Sequence, residues 1–182
     1  MNKNINVGVI GVGHLGRHHT KHYAQLKCAN LIGVYDTDQR AREETALKYD
    51  TKPFDSMEAL IKEVDAVSIV TPTHQHKVVA ESCIKSGKHV FIEKPITKTL
   101  REANALINLA DKNKRLIQVG HIERLNPALI PLSNLDIDPK YIEVQRLAPY
   151  MSRGTDVPVV LDLMIHDIDL VLAFVKAPVE QI

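Results

Sequence analysis

Glycines near the N-terminus have the spacing of a phosphate cradle. Gly11, Gly13 and Gly16 follow the apolar run 5–10 and precede a stretch of helical composition. In such a turn the first glycine permits a tight bend, the second lets a pyrophosphate approach the backbone, and the third lets helix and strand pack closely. The N-terminus of the following helix then presents N–H groups and the positive end of its dipole to an anion.

An acid further along the chain strengthens this interpretation. Asp36 ends the next apolar run, where a carboxylate can accept hydrogen bonds from both ribose hydroxyls of a dinucleotide. The pattern predicts these cofactor-binding residues: Gly11, Gly13, His14, Leu15, Gly16 and Asp36. The carboxylate favours NAD because it repels a 2′-phosphate, while the nearby Arg40 and Arg42 keep NADP possible. Methyltransferases also combine a glycine turn with an acid, so that class stays open at this point.

A lysine at the end of a later strand could act on a substrate. Glu93, Lys94 and Pro95 directly follow the apolar run 89–92. Ligands of an open α/β sheet bind at the carboxyl ends of its strands, and a lysine there can bring positive charge to a reacting hydroxyl. A solvated lysine at the exit of a strand is an equally good interpretation.

Polar residues also interrupt an apolar stretch near the C-terminus. Asp162, His166 and Asp169 lie within 159–175, which is otherwise mostly Val, Leu, Ile, Met and Phe. On an α-helix these side chains fall within about 60° of one another. Burying charged groups on so apolar a helix costs free energy unless they form ion pairs or take part in binding or catalysis. The stripe predicts either a functional cluster or a satisfied polar face.

Histidines at regular spacing raise the question of a metal site. His14, His18 and His22 recur at helical spacing, and His74 and His76 flank a glutamine. Neither set has further ligands at metal spacing. We therefore predict solvated or capping histidines and no metal site.

The scaffold that positions these residues follows from the hydrophobic pattern. Short β-branched runs alternate with helical stretches, which is typical of βαβ units. Strands are predicted at 5–10, 31–35, 51–54, 66–70, 89–92 and 116–119, and helices at 14–27, 38–49, 57–61, 75–86 and 99–112. Residues 1–120 are thus predicted to form a doubly wound, mostly parallel α/β domain with helices on both faces.

Residues 121–182 have a different pattern and are predicted to belong to a partial second domain. Pro127 is expected to open a short helix, and 140–147 alternates like a strand with one wet face. The segment 149–158 is typical of a loop, and 159–175 is predicted to be one long helix that Pro178 ends.

Composition excludes several classes of protein. Among 182 residues, 45% are hydrophobic and 25% are charged, as in ordinary globular domains. Lys and Arg total 23 against 22 for Asp and Glu, and this net charge of +1 argues against a nucleic-acid binder. No window reaches about 18 consecutive apolar residues, so no membrane span is expected. Two distant cysteines support no disulfide framework and suit a reducing cytoplasm.

Four segments together resemble the glucose–fructose oxidoreductase, inositol dehydrogenase and rhizopine-catabolism (Gfo/Idh/MocA) family of NAD(P)-dependent sugar oxidoreductases. They are Val9–Gly16, Thr71–His76, Glu93–Pro95 and Asp162–Asp167, in matching order and spacing. The resemblance implies a Rossmann fold and an enzyme that oxidises a sugar hydroxyl to a ketone by hydride transfer to nicotinamide. It adds the following cofactor-binding residues: Thr71, Pro72, His74, His76, Glu93 and Lys94.

The same resemblance implies a catalytic set. His166 is expected to be the general base, Asp162 to orient the substrate, and Lys94 to stand beside the reacting hydroxyl. Lys94 would then stabilise the developing alkoxide and help keep the base neutral.

Segments 120–127 and 153–157 most resemble the sugar-nucleotide branch of the family. That branch implies a sugar nucleotide such as UDP-N-acetylglucosamine as the substrate. Arg124, Asn126 and Arg153 are the candidate substrate-binding residues, and surface salt bridging is the equal alternative. An inositol or another polyol as the substrate, or a non-catalytic dinucleotide-binding protein, are the alternative functions.

Family members carry a second domain built on a large, mostly antiparallel sheet, most of which this sequence lacks. We therefore expect a truncated chain, or a fragment of a longer enzyme, that still binds its cofactor. The apolar surface left uncovered invites association, so a homo-oligomer is expected.

Overall fold

The computed structural model describes residues 4–147, 157–175 and 177–182. These residues group into two units, Met1–Gly120 and His121–Ile182, and each unit is described by itself. Among the described residues, no helix combines the length and apolar character needed to cross a membrane.

The first unit is a parallel sheet with the strand order β3-β2-β1-β4-β5-β6. Its strands are β1 (Ile5–Ile10), β2 (Ala29–Tyr35), β3 (Lys52–Pro53), β4 (Ala66–Ile69), β5 (His89–Ile92) and β6 (Ile117–Val119). Its helices are α1 (His14–Gln25), α2 (Gln39–Lys48), α3 (Met57–Glu63), α4 (Thr73–Lys85) and α5 (Leu100–Asn113). The predicted α/β class and doubly wound arrangement are confirmed.

Hydrophobic cores form on both faces of this sheet because successive side chains of a strand point to opposite sides. Val9 of β1 packs with Val34 and Ala46 in one cluster. Its neighbour Ile10 joins the larger cluster, which includes Leu60 of α3 and Leu106 of α5. The first unit therefore has the layered packing that a buried parallel sheet requires.

Side-chain caps set where several helices begin. Asp38 accepts a hydrogen bond from the Ala41 N–H at 3.1 Å and so caps the start of α2. Ser56 caps α3 in the same way, and Thr99 forms a reciprocal capping box with Glu102. The α4 helix begins earlier than predicted, at Thr73, because Pro72 occupies its N-cap position.

The strand order reverses between β1 and β4, which are neighbours in the middle of the sheet. In a doubly wound sheet the crevice outside the carboxyl ends of such strands is the ligand site. Residues that directly follow β1, β2, β4 and β5 therefore surround this crevice.

The second unit differs from three of the predictions. Pro127 opens no helix and instead lies in a turn between the 3-10 helices Ile122–Leu125 and Ile130–Asn134. No strand forms over 140–147, because none of the described strands pairs with this segment and an unpaired strand has no ladder to stabilise it. The helix predicted at 159–175 begins as a π-helix, Val160–Met164, and continues as α6, Ile165–Phe174. Most of the predicted loop at 149–158 lies outside the described residues.

Candidate functional site

The glycine turn follows β1 and is shaped by steric limits at Gly11 and Gly16. Gly11 has φ +88°, and a Cβ there would lie 2.7 Å from the Val70 carbonyl oxygen. A Cβ on Gly16 would overlap the Gly11 carbonyl oxygen. The Gly11 N–H donates to the Tyr35 carbonyl oxygen at 2.8 Å, which joins the turn to β2. Only glycine fits the first and third positions of this turn.

Gly13 differs from the other two glycines because its surroundings are open. It is the N-cap of α1 and makes no side-chain capping bond, and a Cβ there would meet nothing within 4 Å. The N-terminal N–H groups of α1 therefore border open space, as the second glycine of a dinucleotide cradle requires. His14 and Leu15 occupy the first turn of the helix and are exposed.

Asp36 is half-buried after β2 and is tied directly to the glycine turn. Its Oδ2 accepts a hydrogen bond from the Val12 N–H at 2.7 Å, and its Oδ1 accepts one from the Asp38 N–H at 2.9 Å. A carboxylate offers about four lone pairs, so it keeps capacity to accept from ribose hydroxyls. The structure thus brings the predicted acid and the predicted cradle together.

The arginines near Asp36 are engaged by their neighbours. Arg40 Nε donates to Glu44 at 2.7 Å. The buried Arg42 donates to Asp55 at 2.9 Å and to the Asp36 carbonyl oxygen at 3.2 Å. Both guanidinium groups therefore already have anionic partners.

A cleft of about 650 Å³ opens on the α1 side of the turn. Its lining includes Gly13 and the basic side chains of His14, Arg17, His18, Lys21 and Lys48. The cationic side chains among them, Arg17, Lys21 and Lys48, attract anionic ligands. His14 and His18 lie edge to face with ring centroids 5.3 Å apart, and together with His22 they form an exposed face of α1.

Thr71 and Pro72 follow β4 at the same edge of the sheet. The Thr71 hydroxyl oxygen is buried and has no hydrogen-bond partner among the described residues. A buried hydroxyl without a protein partner is uncommon, and this one can form a hydrogen bond with a bound molecule. His74 lies exposed on the first turn of α4.

His76 lies beneath this loop, with only 1% of its surface exposed. Its Nδ1 lies 2.9 Å from the Pro95 carbonyl oxygen, and its Nε2 lies 2.9 Å from the Thr71 carbonyl oxygen. A neutral imidazole donates through only one nitrogen, so the tautomer decides which of the two carbonyl oxygens receives the hydrogen bond. Both ring nitrogens thus face the backbone of the chain, and the predicted contact of His76 with a cofactor stays a prediction.

Glu93 and Lys94 follow β5, where a histidine that the sequence analysis missed holds the glutamate. His19 of α1 has Nε2 3.0 Å from Glu93 Oε1 and Nδ1 2.8 Å from Ser68 Oγ. The Lys94 N–H donates to Glu93 Oε2 at 3.2 Å, and the Lys94 side chain is half-buried. His19 lies on a different face of α1 from the exposed His14, His18 and His22.

The charge state of Glu93 follows from these contacts. Burial alone would raise the pKa of Glu93, but the hydrogen bond and charge of His19, with those of Lys94, outweigh it and hold the pKa below its usual range. Glu93 is therefore an anion, and it is unsuited to act as a proton donor at neutral pH.

In the second unit, Asp162 lies in the π-helix and His166 in the first turn of α6, both half-buried. Single π-turns occur frequently at functional sites. The third residue of the predicted stripe, Asp169, is instead engaged by Arg124 through a two-pronged ion pair, with Nε 2.6 Å from Oδ2. Arg124 thus forms a salt bridge in the structure, which was the alternative to a contact with substrate.

The neighbouring Asp167 forms a similar pair with Arg146, whose Nη2 lies 2.7 Å from Asp167 Oδ1. The Asn126 side chain donates to Glu123 and accepts from the Ala128 N–H, so it organises its own turn. Arg153 lies outside the described residues. The described part of the chain contains no cluster of His, Cys, Asp and Glu that could hold a metal ion.

Comparisons with known proteins agree with this geometry. UDP-N-acetylglucosamine 3-dehydrogenase of Acidithiobacillus ferrooxidans is 45% identical over 174 residues, which cover 95% of this chain and 55% of the relative. A solved structure of that dehydrogenase superposes with a TM-score of 0.92 at 44% identity, over 98% of this chain and 58% of that one. Inositol 2-dehydrogenase of Paracoccus denitrificans is 29% identical over 178 residues, covering 91% of this chain and 53% of the relative. The chain thus spans about half the length of the curated relatives it matches.

A family model describes the strands, the glycine turn and the carboxyl-edge loops of the first unit. The model of the oxidoreductase family with an NAD-binding Rossmann fold (GFO_IDH_MocA) matches residues 5–121. This chain therefore belongs to the Gfo/Idh/MocA oxidoreductase family, as the resemblance of its motifs predicted.

Proposed function

We propose that the chain binds NAD at the crevice of the first unit and belongs to an enzyme that oxidises a sugar hydroxyl to a ketone. The observation that carries the proposal is the bond between the Val12 N–H and Asp36, which joins an open cradle at Gly13 to a ribose-binding acid. The buried Thr71 hydroxyl, without a partner among the described residues, supports a ligand beside β4.

NAD is favoured over NADP because of the charges near Asp36. The carboxylate repels a 2′-phosphate. Arg40 and Arg42, which could offset that repulsion, are paired with Glu44 and Asp55. The two free thiols suit the reducing cytoplasm as the location.

A sugar nucleotide such as UDP-N-acetylglucosamine is the proposed substrate. The support is the 45% identity to a UDP-N-acetylglucosamine 3-dehydrogenase over 95% of this chain. An inositol or another polyol is the second candidate, because inositol 2-dehydrogenases match at 29% identity over a similar range. We also propose that the chain forms a homo-oligomer, which is supported by exposed apolar side chains such as Leu125, Tyr141 and Leu172.

The proposed chemistry divides among the following residues. Bound NAD would accept the hydride from the carbinol carbon of the sugar. His166 takes the proton of the sugar hydroxyl at a ring nitrogen, since imidazole exchanges protons near pH ~6.5. Asp162 accepts a hydrogen bond that orients the sugar. The Lys94 ammonium stabilises the negative charge that develops on the oxygen.

Turnover with two substrates tests this proposal. We expect the chain with NAD⁺ to oxidise UDP-N-acetylglucosamine and not myo-inositol, as followed by the absorbance of reduced nicotinamide. His166→Asn should lower kcat by about 100-fold or more, whereas Glu180→Gln, an exposed residue of the same unit, should not. Turnover of myo-inositol alone would support the polyol dehydrogenase. NAD⁺ binding without any turnover would favour a non-catalytic dinucleotide-binding protein.

A further inference from the structure

The two residues that flank Lys94 are each in contact with a buried or nearly buried histidine. Its predecessor, Glu93, receives His19 from α1, and its successor, Pro95, receives His76 from α4. These helices lie far apart in the sequence, and both histidines reach the loop after β5. The Glu93 side chain before Lys94 and the Pro95 carbonyl after it are thus each contacted by a histidine from a different helix of the first unit.

The His19 contact is held in place on several sides. Its ring joins Ser68 of β4 to Glu93, and the side chains of His19 and Glu93 are only 17% and 13% exposed. The ring also packs edge to face on Phe91, with centroids 5.6 Å apart. A Cβ at Gly120 would lie 2.9 Å from Glu93 Oε1, so the carboxylate has little room to move. Hydrogen bonds to a carboxylate are among the stronger ones in proteins.

The His76 contact joins two loops of the carboxyl edge. One ring nitrogen meets the carbonyl of Thr71, after β4, and the other meets the carbonyl of Pro95, after β5. Whichever nitrogen donates, the ring fills the space between the two carbonyl oxygens, and it is almost completely buried there. The distance between the two loops is therefore set by the width of one imidazole ring.

We infer that His19 and His76 are positioning residues that together fix Lys94 relative to the loop after β4. Neither needs to touch substrate or cofactor for this role. The inference rests on the proposed function only for the catalytic role of Lys94 at the reacting oxygen. A displacement of about 1 Å can lower the rate of an enzyme by about 100-fold, so a lysine that meets a reacting oxygen needs such a support.

The first test follows Lys94 itself and needs no turnover. Trace acetylation with acetic anhydride, read out by peptide mass spectrometry, measures the reactivity of the Lys94 amine relative to the exposed Lys112. We expect His19→Leu and His76→Leu each to raise the relative reactivity of Lys94 severalfold. His19→Gln, which keeps a donor for Glu93, should restore most of the wild-type value. His22→Leu, at an exposed position of the same helix, is the matched control and should change nothing.

The second test separates positioning from cofactor affinity. In the turnover assay, His19→Leu should lower kcat by up to about 100-fold while the Kd for NAD⁺ changes by less than about threefold. If the wild-type chain shows no turnover, the proposed function fails, and the acetylation test still decides the inference.

Other outcomes would overturn the inference. Unchanged Lys94 reactivity in folded His19→Leu and His76→Leu would do so, and so would an equal change in His22→Leu. If His76→Leu does not fold, His76→Asn replaces it, because the shorter amide cannot reach both carbonyl oxygens. If His19→Leu does not fold, Glu93→Gln replaces it, because the amide keeps the size of the side chain but loses the anionic acceptor for His19. Unchanged Lys94 reactivity in that variant would equally contradict the role of His19.

Discussion

We expect Gly11→Ala and Gly13→Ala to have different consequences, although these glycines are close together in one turn. Gly11 adopts φ +88°, where a side chain costs about 1–2 kcal/mol. Its Cβ would also lie 2.7 Å from the Val70 carbonyl oxygen, and overpacking of this kind costs about 1–3 kcal/mol. The total, about 2–5 kcal/mol, is a large part of the roughly 5–15 kcal/mol that stabilises a typical domain.

Gly13→Ala lacks both of these costs. Gly13 has φ −63° and ψ −156°, and its Cβ would meet nothing within 4 Å. Alanine restricts the unfolded chain, which stabilises by about 0.4–1 kcal/mol, but it is a poorer N-cap than glycine. The free energy of unfolding should therefore change by less than about 1 kcal/mol. The methyl group enters the space through which a pyrophosphate approaches the backbone, so NAD⁺ binding should be lost.

Urea unfolding followed by circular dichroism measures the first effect, and calorimetric titration with NAD⁺ measures the second. We expect a large loss of stability for Gly11→Ala only, and a folded Gly13→Ala that does not bind NAD⁺. If Gly13→Ala bound NAD⁺ like the wild type, or lost as much stability as Gly11→Ala, this division between the two glycines would be wrong.

Three further predictions concern charged and nucleophilic groups. The hydrogen bond from Arg124 holds the pKa of Asp169 below its usual range. The ionised Asp169 therefore stabilises the folded chain fully above the unfolded pKa of about 3.9, and this stabilisation is lost as pH falls through the lower folded pKa. Arg124→Ala should therefore cost about 1 kcal/mol in urea near pH ~7 and much less near pH ~2; an equal loss at both would contradict this. Burial raises the pKa of Cys83 to about 12, so brief alkylation with iodoacetamide should label the exposed Cys28 and leave Cys83 unmodified. Hydrogen bonds from two lysines lower the pKa of Glu81 to about 2, yet the group is near the surface, so Glu81→Gln should cost less than about 1 kcal/mol in urea.

Local patterns in the sequence were sufficient to predict most of the first unit. β-branched runs and helical stretches indicated its strands and helices, because a buried parallel sheet imposes that alternation. The glycine turn and Asp36 were predicted together because they occur at fixed places in one βαβ unit. The structure joins them through the Val12 N–H.

The supports of Lys94 could not be predicted in this way. His19 and His76 meet Glu93 and Pro95 only after the chain has folded, and no local spacing links such distant residues. The regular spacing of the neighbouring histidines indicates a solvated face of the helix, and nothing in the local sequence distinguishes His19 from them.

In the second unit, local patterns were less reliable because its elements depend on partners. The alternation over 140–147 is suited to a half-buried strand, but Tyr141 and Leu147 are 81% and 93% exposed and no described strand pairs with them. The helical pattern over 159–175 indicated a helix, but hydrophobic periodicity does not distinguish a π-turn from an α-turn at its start.

The most direct test of the central claim is calorimetric titration of the chain with NAD⁺ and NADP⁺, alongside Asp36→Asn. We expect NAD⁺ to bind more tightly than NADP⁺. Loss of the charged acceptor for the ribose hydroxyls, worth about 1.5–3 kcal/mol, should weaken NAD⁺ binding about 10- to 100-fold in Asp36→Asn. Absence of NAD⁺ binding, or an affinity for NAD⁺ that Asp36→Asn leaves unchanged, would contradict the assignment of this crevice as the cofactor site.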